Sequence, residues 1–322
     1  MIRRRRLPLL AATAAPLAAP ALAQGERYPN RTVTLIVPYP PGGSSDNAAR
    51  PVAAKLGEAL GQPVVIENRG GAGGSLGAAV VAGAKPDGYT LLVFPTAVLT
   101  ISPHMMALPY DPAKAFEPVS MLAFGDGVVA MHPSVPARSV PELIAHAKAS
   151  PTRLRFGSAG NGTITQMTGE LFAEAAGIRL EHVPYRGSAP ALTDLLGGRV
   201  DLQFDPIAMP AIKDGRLIGL AITGDRRSPE LPHLPTLKEL GLAGDSGLSF
   251  HGLAAPAGLP REVAERLTVA LRQVLAMPEV ARAMAPVGLR PNFEAGEAFA
   301  ERLRRDRELF GAAVRRTGAR AE

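Results

Sequence analysis

Short apolar runs alternate with amphipathic segments along most of the chain. The run Val33–Val37 has the composition of a buried strand, and residues 45–60 have apolar positions at helical spacing. Two further runs, at 64–67 and 89–94, repeat the pattern with a helical segment over residues 76–84 between them. This alternation predicts an α/β fold with largely parallel sheets.

The middle of the chain has the same pattern. Strands are predicted at residues 153–156, 180–185, 200–204 and 217–223, and helices at 163–176, 189–196 and Met209–Lys213. The tail from residue 261 to residue 315 is predicted to be helical, with breaks at Pro278 and Gly288. Because 322 residues exceed the usual size of a single hydrophobic core, two lobes are expected.

The first 23 residues have the composition of an export signal. Arg3 to Arg6 form a basic segment, an apolar segment follows, and Ala21-Leu22-Ala23 matches the A-x-A cleavage pattern. The four arginines fit both the general and the twin-arginine export route. We therefore expect a cleaved signal peptide at residues 1–23 and a mature protein in the periplasm.

Loss of this signal changes what the charge implies. The formal net charge is +6 for the whole chain, and removal of the four arginines lowers it to +2. So small an excess does not predict a nucleic-acid interface. The absence of cysteine excludes disulfides, thiolate metal sites, cysteine nucleophiles and lipidation of an N-terminal cysteine. The six histidines lack metal-ligand spacing, so we predict no metal and no cofactor.

A glycine-rich loop, which we call the first loop, follows the first predicted strand and reads YPPGGSSD over residues 39–46. Its glycines let backbone amides approach a ligand, and the unpaired N–H groups of the following helix attract anions. The loop contains no Lys or Arg, so a small carboxylate fits better than a polyphosphate. The predicted ligand-binding residues here are Tyr39, Gly42, Gly43, Ser44, Ser45 and Asp46.

A second loop of the same kind reads FGSAGNGT over residues 156–163 and also joins a strand to a helix. Its glycines and hydroxyls again favour an anion, and Thr165 adds a donor. Two such loops in one chain predict an anion held from two sides. The predicted ligand-binding residues are Ser158, Ala159, Gly160, Thr163 and Gln166.

Asp205 ends another predicted strand, and the carboxyl ends of strands are where α/β proteins bind ligands. Its side chain has two interpretations, a helix N-cap or a residue that organises the site, and both can hold together.

The glycine-rich run at residues 73–77 supports an alternative hypothesis, in which the protein is an enzyme. The run matches G-x-S-x-G with Ser75 at its centre. An exported serine hydrolase would use Ser75 as nucleophile and His251 as base. A nucleophile elbow requires a strand that runs directly into the serine, whereas residues 68–72 intervene here. We therefore predict no catalytic residue.

Several stretches in order along the mature chain resemble the Bug family, the periplasmic solute-binding subunits of tripartite tricarboxylate transporters. They are VPYPPGGSSD at 37–46, QPVVIENR at 62–69, GAGG at 71–74, PDGYT at 86–90, HVPYRGSAPALTDLLGG at 182–198 and APAG at 255–258.

The resemblance implies a two-lobed periplasmic-binding-protein fold, type II-like, whose lobes exchange chain at a two-strand hinge and close around a small organic carboxylate. It implies a two-component, ion-driven membrane permease as partner and a monomeric protein. By similarity, the first loop at 39–46 and the second loop at 158–165 together bind the proximal carboxylate of the ligand. Asp205 matches an aspartate of the family, and Thr96 lies where the family often has small hydroxyls near the distal end of the ligand.

We expect lobe 1 to comprise residues 24–123 and 224–322, lobe 2 to comprise 124–223, and the hinge to lie near 121–124 and 221–224. Some residues depart from the family pattern. Gln166 replaces a common His, Pro206 replaces a common Asn, and the pair Phe250-His251 replaces a frequent Trp-containing pair. These departures lie away from the shared carboxylate site, so they bear on which ligand is bound. Ser75 stands where the family often has Asn, which argues against the hydrolase.

Overall fold

The computed structural model describes residues 28–224, 226–242 and 249–320. The predicted signal peptide lies outside the described residues. Two mixed α/β layers are built from strands β1 Val33–Val37, β2 Val64–Asn68, β3 Thr90–Pro95, β4 Phe116–Gly125, β5 Val128–Met131, β6 Leu154–Ser158, β7 Leu180–Pro184, β8 Leu202–Phe204, β9 Ile218–Ile222, β10 Ser249–Pro256 and β11 Leu289–Ala295.

Helices cover the faces of the two sheets. They are α1 Ser44–Leu60, α2 Ser75–Ala82, α3 Thr96–Thr100, α4 Ser102–Met105, α5 Val140–Ala149, α6 Ile164–Ala176, α7 Ser188–Leu196, α8 Met209–Lys213, α9 Arg261–Leu275, α10 Pro278–Met284 and α11 Glu297–Thr317. Amphipathic spacing explains the long ones. In α9, Val263, Leu267, Leu271 and Val274 share one buried face.

The first sheet has six strands in the order β11-β4-β10-β3-β1-β2, and the second has five in the order β7-β6-β8-β5-β9. β1 pairs in parallel with β2 and β3, and β6 with β7 and β8. The prediction of largely parallel sheets holds for these pairs only, since β4, β5, β10 and β11 pair antiparallel with their neighbours. The strands that precede the two loops, β1 and β6, pair in parallel on both sides.

The chain passes from the first sheet to the second where β4 leads through Asp126 and Gly127 into β5. Thr223, which follows β9, lies beside this crossing. Its N donates to Gly127 O at 2.8 Å, so the crossing is bonded to the end of β9. The buried Asp126 carboxylate also accepts two hydrogen bonds from Arg290, which ties β11 to the crossing.

Residues after β9 remain beside the second sheet. Leu231 and Leu234 pack with Val128 and Met209, and Leu237 packs with Met131 and Leu220. The lobe limits stay a prediction. These contacts place residues 228–242 beside the second sheet, whereas the predicted limit assigned them to lobe 1.

Two features of the tail differ from the sequence prediction. The predicted helical tail is wrong at Leu289–Ala295, which forms β11 against β4, because this edge pairing is decided by a distant strand. The last helix, α11, reaches across to the second lobe, where Phe310 and Ala313 pack with Ile164 and Met167 of α6. Among the described residues, no helix is long and apolar enough to span a membrane.

Candidate functional site

A cavity lies between the two sheets, where the first loop faces the second loop. The space open to the centres of water molecules is about 40 Å³, enough for a few waters or a small ligand group. Its lining residues are Tyr39, Gly43, Ser44, Ser45, Pro95, Ala97, Ala159, Thr163, Ile164, Thr165, Ser188, Asp205, Pro206, Ser249 and His251. The structure thus brings residues of both predicted loops and Asp205 to one cavity, about which the remaining predicted residues are arranged.

The first loop leaves its helix start without a side-chain cap. Gly43 is the N-cap of α1, and no side chain bonds the amides of the first turn. The amides of Ser44 and Ser45 have no carbonyl four residues earlier within the helix, as at every helix start. Because these residues line the cavity, their amides and the Ser45 hydroxyl are the donors that this side can provide.

Asp46 and Gly42 support the loop from behind and do not line the cavity. The buried Asp46 carboxylate accepts from Gly42 N at 2.9 Å, from Asn68 Nδ2 at 3.0 Å and from Arg50 Nε at 2.7 Å. Burial alone would raise the pKa of Asp46, but the hydrogen bonds from Arg50, Gly42 and Asn68 lower it below its usual 3.8. An ionised Asp46 therefore fixes the position of Gly42 and the helix start.

The second loop uses its donors internally. Thr163 caps α6 by accepting from Gln166 N, and its hydroxyl donates to Gly160 O at 2.6 Å. Ala159 N donates to Thr165 Oγ1 at 2.9 Å, and Gly162 N donates to Gln166 Oε1 at 2.8 Å. The second loop is therefore held rigidly by its own side chains, while Ala159, Thr163 and Thr165 still face the cavity.

Ser158 and Gln166 lie behind the second loop. Ser158 Oγ accepts from Gly160 N at 3.1 Å and lies 2.6 Å from His182 Nε2. Burial lowers the pKa of His182 from 6.5 to about 4, so its ring is neutral near pH 7. Gln166 Nε2 donates to Arg320 O, which joins the second loop to the end of the chain. Both residues position the loop, and neither lines the cavity.

Asp205 performs both roles that its position suggested. Its carboxylate accepts from Ile207 N at 3.0 Å, which caps the short 3-10 turn Pro206–Ala208. It also accepts from Ser188 Oγ at 2.5 Å and from Ser44 Oγ at 2.8 Å. Since Ser44 belongs to the first loop and Asp205 follows β8, the last bond connects the two lobes across the cavity. Burial raises the pKa of Asp205 above 3.8, although these hydrogen bonds lower it.

Thr96 is fully buried and does not line the cavity. Its hydroxyl accepts from Phe250 N at 2.8 Å and lies 3.1 Å from Phe250 O, so it fixes β10 against the start of α3. The neighbours Pro95, Ala97 and His251 are the ones that line the cavity. Thr96 therefore holds the cavity wall in place, whereas its hydroxyl was expected to lie near the distal end of the ligand.

Sequence reasoning missed some of the lining. Ser188 lies in the PYRGSAP stretch and His251 in the altered Phe250-His251 pair, so both had a signal in the family resemblance. Ser249 and Ala97 had none, because they enter the cavity only through the pairing of β10 with β3 and β4.

A wider opening of about 350 Å³ adjoins the cavity and includes Gly160 and Arg186. Here the loops of the two lobes touch, since a Cβ on Gly73 would lie 2.3 Å from Asn161 O. Gly73 also has a φ of 62°, so this contact requires glycine.

The structure does not place Ser75 and His251 in one cavity, as the hydrolase hypothesis requires. Ser75 Oγ donates to Ala72 O at 2.8 Å and does not line the cavity that His251 lines. The Nδ1 atom of His251 has no hydrogen-bond partner. Within residues 28–224, 226–242 and 249–320, no cluster of His, Asp or Glu could hold a metal ion.

The family model described as tripartite tricarboxylate transporter family receptor matches residues 48–308. The chain belongs to this receptor family. The structure of the periplasmic binding protein BugD is 32% identical and superposes with a TM-score of 0.86, covering 92% of this chain and 100% of BugD. The resemblance to the Bug family and the two-lobed periplasmic-binding fold are thereby confirmed.

Two further relatives have named ligands. Rhodopseudomonas palustris Rpa4515 with adipate is 32% identical, with a TM-score of 0.87 over 91% of this chain and 99% of Rpa4515. MatC from the same organism, with bound malate, is 29% identical, with a TM-score of 0.82 over 89% of this chain and 100% of MatC. This receptor is therefore a solute-binding protein whose relatives bind carboxylates.

Proposed function

We propose that this receptor captures a small organic carboxylate between its two lobes in the periplasm, without catalysis, and delivers it to a two-component, ion-driven membrane permease. The observation that carries the proposal is the cavity between the uncapped start of α1 and the start of α6. Helix N-termini favour anions, and no Lys or Arg is among the described residues that line the cavity, so neutral donors would hold the ligand.

The carboxylate would bind to the amides of Ser44 and Ser45 and to the hydroxyl of Ser45, with Thr163 and Thr165 in the facing wall. Gly42, Asp46, Thr96, Ser158 and Gln166 would act by holding these donors in place. We propose that a monomer closes about the crossing at 125–128 and the adjoining residues 222–224 when the ligand favours the closed state.

Calorimetry of the mature protein with malate and adipate, and with malamide and adipamide as controls, tests the proposal. Both oxygens of a carboxylate accept hydrogen bonds from the donors of the cavity. An amide has an NH2 group in place of one oxygen, and this group cannot accept from those donors. Each diamide should therefore bind at least tenfold more weakly. A hundredfold excess of ligand over Kd should also stabilise the protein by about 2.7 kcal/mol in thermal unfolding. If malate, adipate and, as a third carboxylate in the same assays, citrate all fail to bind or stabilise, the proposed function is wrong.

A further inference from the structure

The ligand cavity itself has little that attracts an anion from a distance. Among the described residues that line it, none is Lys or Arg, and Asp205 is acidic. The helix starts favour an anion at short range only, since the effect of a helix dipole falls off within the first turn. A carboxylate that approaches through solvent is therefore guided to the cavity only if a positive charge lies on its path.

The wider opening that adjoins the cavity lies on the side away from the crossing between the sheets. It shares Tyr39 and Ala159 with the cavity. A smaller space on another side of the cavity is lined by Gly127 of the crossing and by Thr223 beside it, and it shares no described residue with the opening. In the closure proposed above, the lobes separate most on the side away from the crossing, so a ligand would enter at this opening.

Arg186 is the one charged residue in the described lining of this opening. It is exposed, and the residues on either side of it hold its backbone between the two loops. Tyr185 N donates to Ser158 O of the second loop at 3.1 Å, and a Cβ on Gly187 would lie 3.0 Å from Pro40 Cδ of the first loop. The Arg186 side chain therefore extends from the place where the loops of the two lobes meet.

The charge of Arg186 is not neutralised by an acidic neighbour. Two other arginines of this lobe, Arg155 and Arg199, pair with Asp201 and Asp194, whereas none of the ion pairs between described residues includes Arg186. An arginine is charged at every physiological pH. Its positive charge at the entrance is therefore available to an approaching anion.

Building on the proposed function, we propose that Arg186 guides anionic ligands to the cavity and raises their association rate, while the neutral donors of the cavity determine how slowly the ligand leaves. A charge at the entrance acts over several ångströms at low ionic strength, before the ligand reaches any donor of the cavity. Guiding and holding are separate here because Arg186 does not line the cavity.

Stopped-flow tyrosine fluorescence with malate and with adipate tests this in wild type, Arg186→Gln and Arg186→Lys. The chain has no Trp, and Tyr39 lines the cavity, so tyrosine emission is a probe of binding. At an ionic strength of about 0.01 M, Arg186→Gln should lower the association rate constant about two- to fivefold and leave the dissociation rate constant nearly unchanged. Arg186→Lys should keep the wild-type rates. At about 1 M, where the Debye length is about 3 Å, Arg186→Gln should associate as fast as wild type.

Arg153→Gln is the matched control, because it removes the same charge from another exposed arginine. Arg153 precedes β6, whereas Arg186 follows β7, and these two strands are parallel neighbours. The two arginines therefore lie at opposite ends of the second sheet, and the control should associate at the wild-type rate.

The outcomes separate this inference from the proposed function. If wild type binds neither malate, adipate nor citrate, the proposed function is wrong and the inference is overturned with it. If wild type binds and Arg186→Gln associates equally fast at low salt, only the inference is overturned. It is also overturned if Arg153→Gln is slowed as much, since net charge would then be the cause. A change in the dissociation rate alone would show that Arg186 holds the bound ligand, which likewise contradicts the inference.

Discussion

The two loops that face each other across the cavity both join a parallel strand to a helix, yet they use their donors in opposite ways. In the first loop, Gly43 caps α1 with no side-chain bond, and the anchoring carboxylate of Asp46 lies behind the loop. In the second loop, Thr163 caps α6 and Thr165 accepts from Ala159 N. Similar sequence patterns have therefore produced an open helix start and a closed one.

The difference separates binding from support. A helix start without a cap has unpaired amides, and an anion that binds there satisfies them. A loop that is already bonded internally contributes a preorganised wall, which lowers the entropy lost on binding. We therefore expect changes in the first loop to act mainly on affinity and changes in the second to act mainly on stability.

The largest effect is expected from Gly43→Val. Gly43 has an extended backbone with φ of −79°, and a Cβ there would meet only Pro40 O at 3.7 Å. The variant should therefore fold, while its side chain blocks the approach to the amides. Calorimetry with the best carboxylate should show at least a hundredfold loss of affinity, about 2.7 kcal/mol.

Gly83→Val is the matched control for this variant. Gly83 is exposed at the end of α2, has a negative φ of −91° and would place its Cβ 3.7 Å from Ala79 O. It lies outside the cavity lining, so its affinity should equal that of wild type. Wild-type affinity in a folded Gly43→Val protein would mean that the first loop is only a helix cap.

Acid should weaken the support of the second loop. Burial lowers the pKa of His182 to about 4, below its ordinary 6.5, so between these values the unfolded chain binds a proton that the folded protein does not. Its contribution to the free energy of unfolding is complete above pH 6.5. That contribution is lost as the pH falls towards 4, by about 1–3 kcal/mol for a half-buried group.

Urea unfolding at pH 7 and pH 4.5 measures this loss. His182→Gln keeps a group that can bond Ser158 but cannot take up the proton, so its stability should fall less between the two pH values than that of wild type. An equal fall in both proteins would show that His182 has the same pKa in the folded and unfolded states.

The smallest effects come from single hydroxyls. Thr163→Ala removes the N-cap of α6 and should lower the free energy of unfolding by about 1 kcal/mol, with Thr163→Ser as the control that restores it. Ser45→Ala has no cap to remove and should leave urea unfolding unchanged, while affinity falls about tenfold. The comparison of the two loops is contradicted if Ser45→Ala lowers the free energy of unfolding more than Thr163→Ala does, while Thr163→Ala lowers only the affinity.

Local pattern predicted the two loops well but not their internal bonding. The strand Val33–Val37 and the helix Met209–Lys213 have the predicted bounds, since apolar runs and turn residues specify them locally. The use of Gln166 within the second loop depends on side-chain direction, which one sequence does not reveal. The entry of His251 into the cavity depends on the pairing of β10 between β3 and β4, strands far away in the sequence.

Sensitivity and selectivity are separable in this molecule because of the bond between Ser44 and Asp205. It spans the two lobes and involves no atom of the cargo, so in the closure proposed above it would favour the closed form whichever cargo is enclosed. A hydrogen bond to a carboxylate contributes about 1.5–3 kcal/mol, which would raise the affinity for every cargo by the same factor. One pair of residues would thus lower the concentration at which any cargo is captured. The relative affinities of different cargos would depend on the other residues that line the cavity.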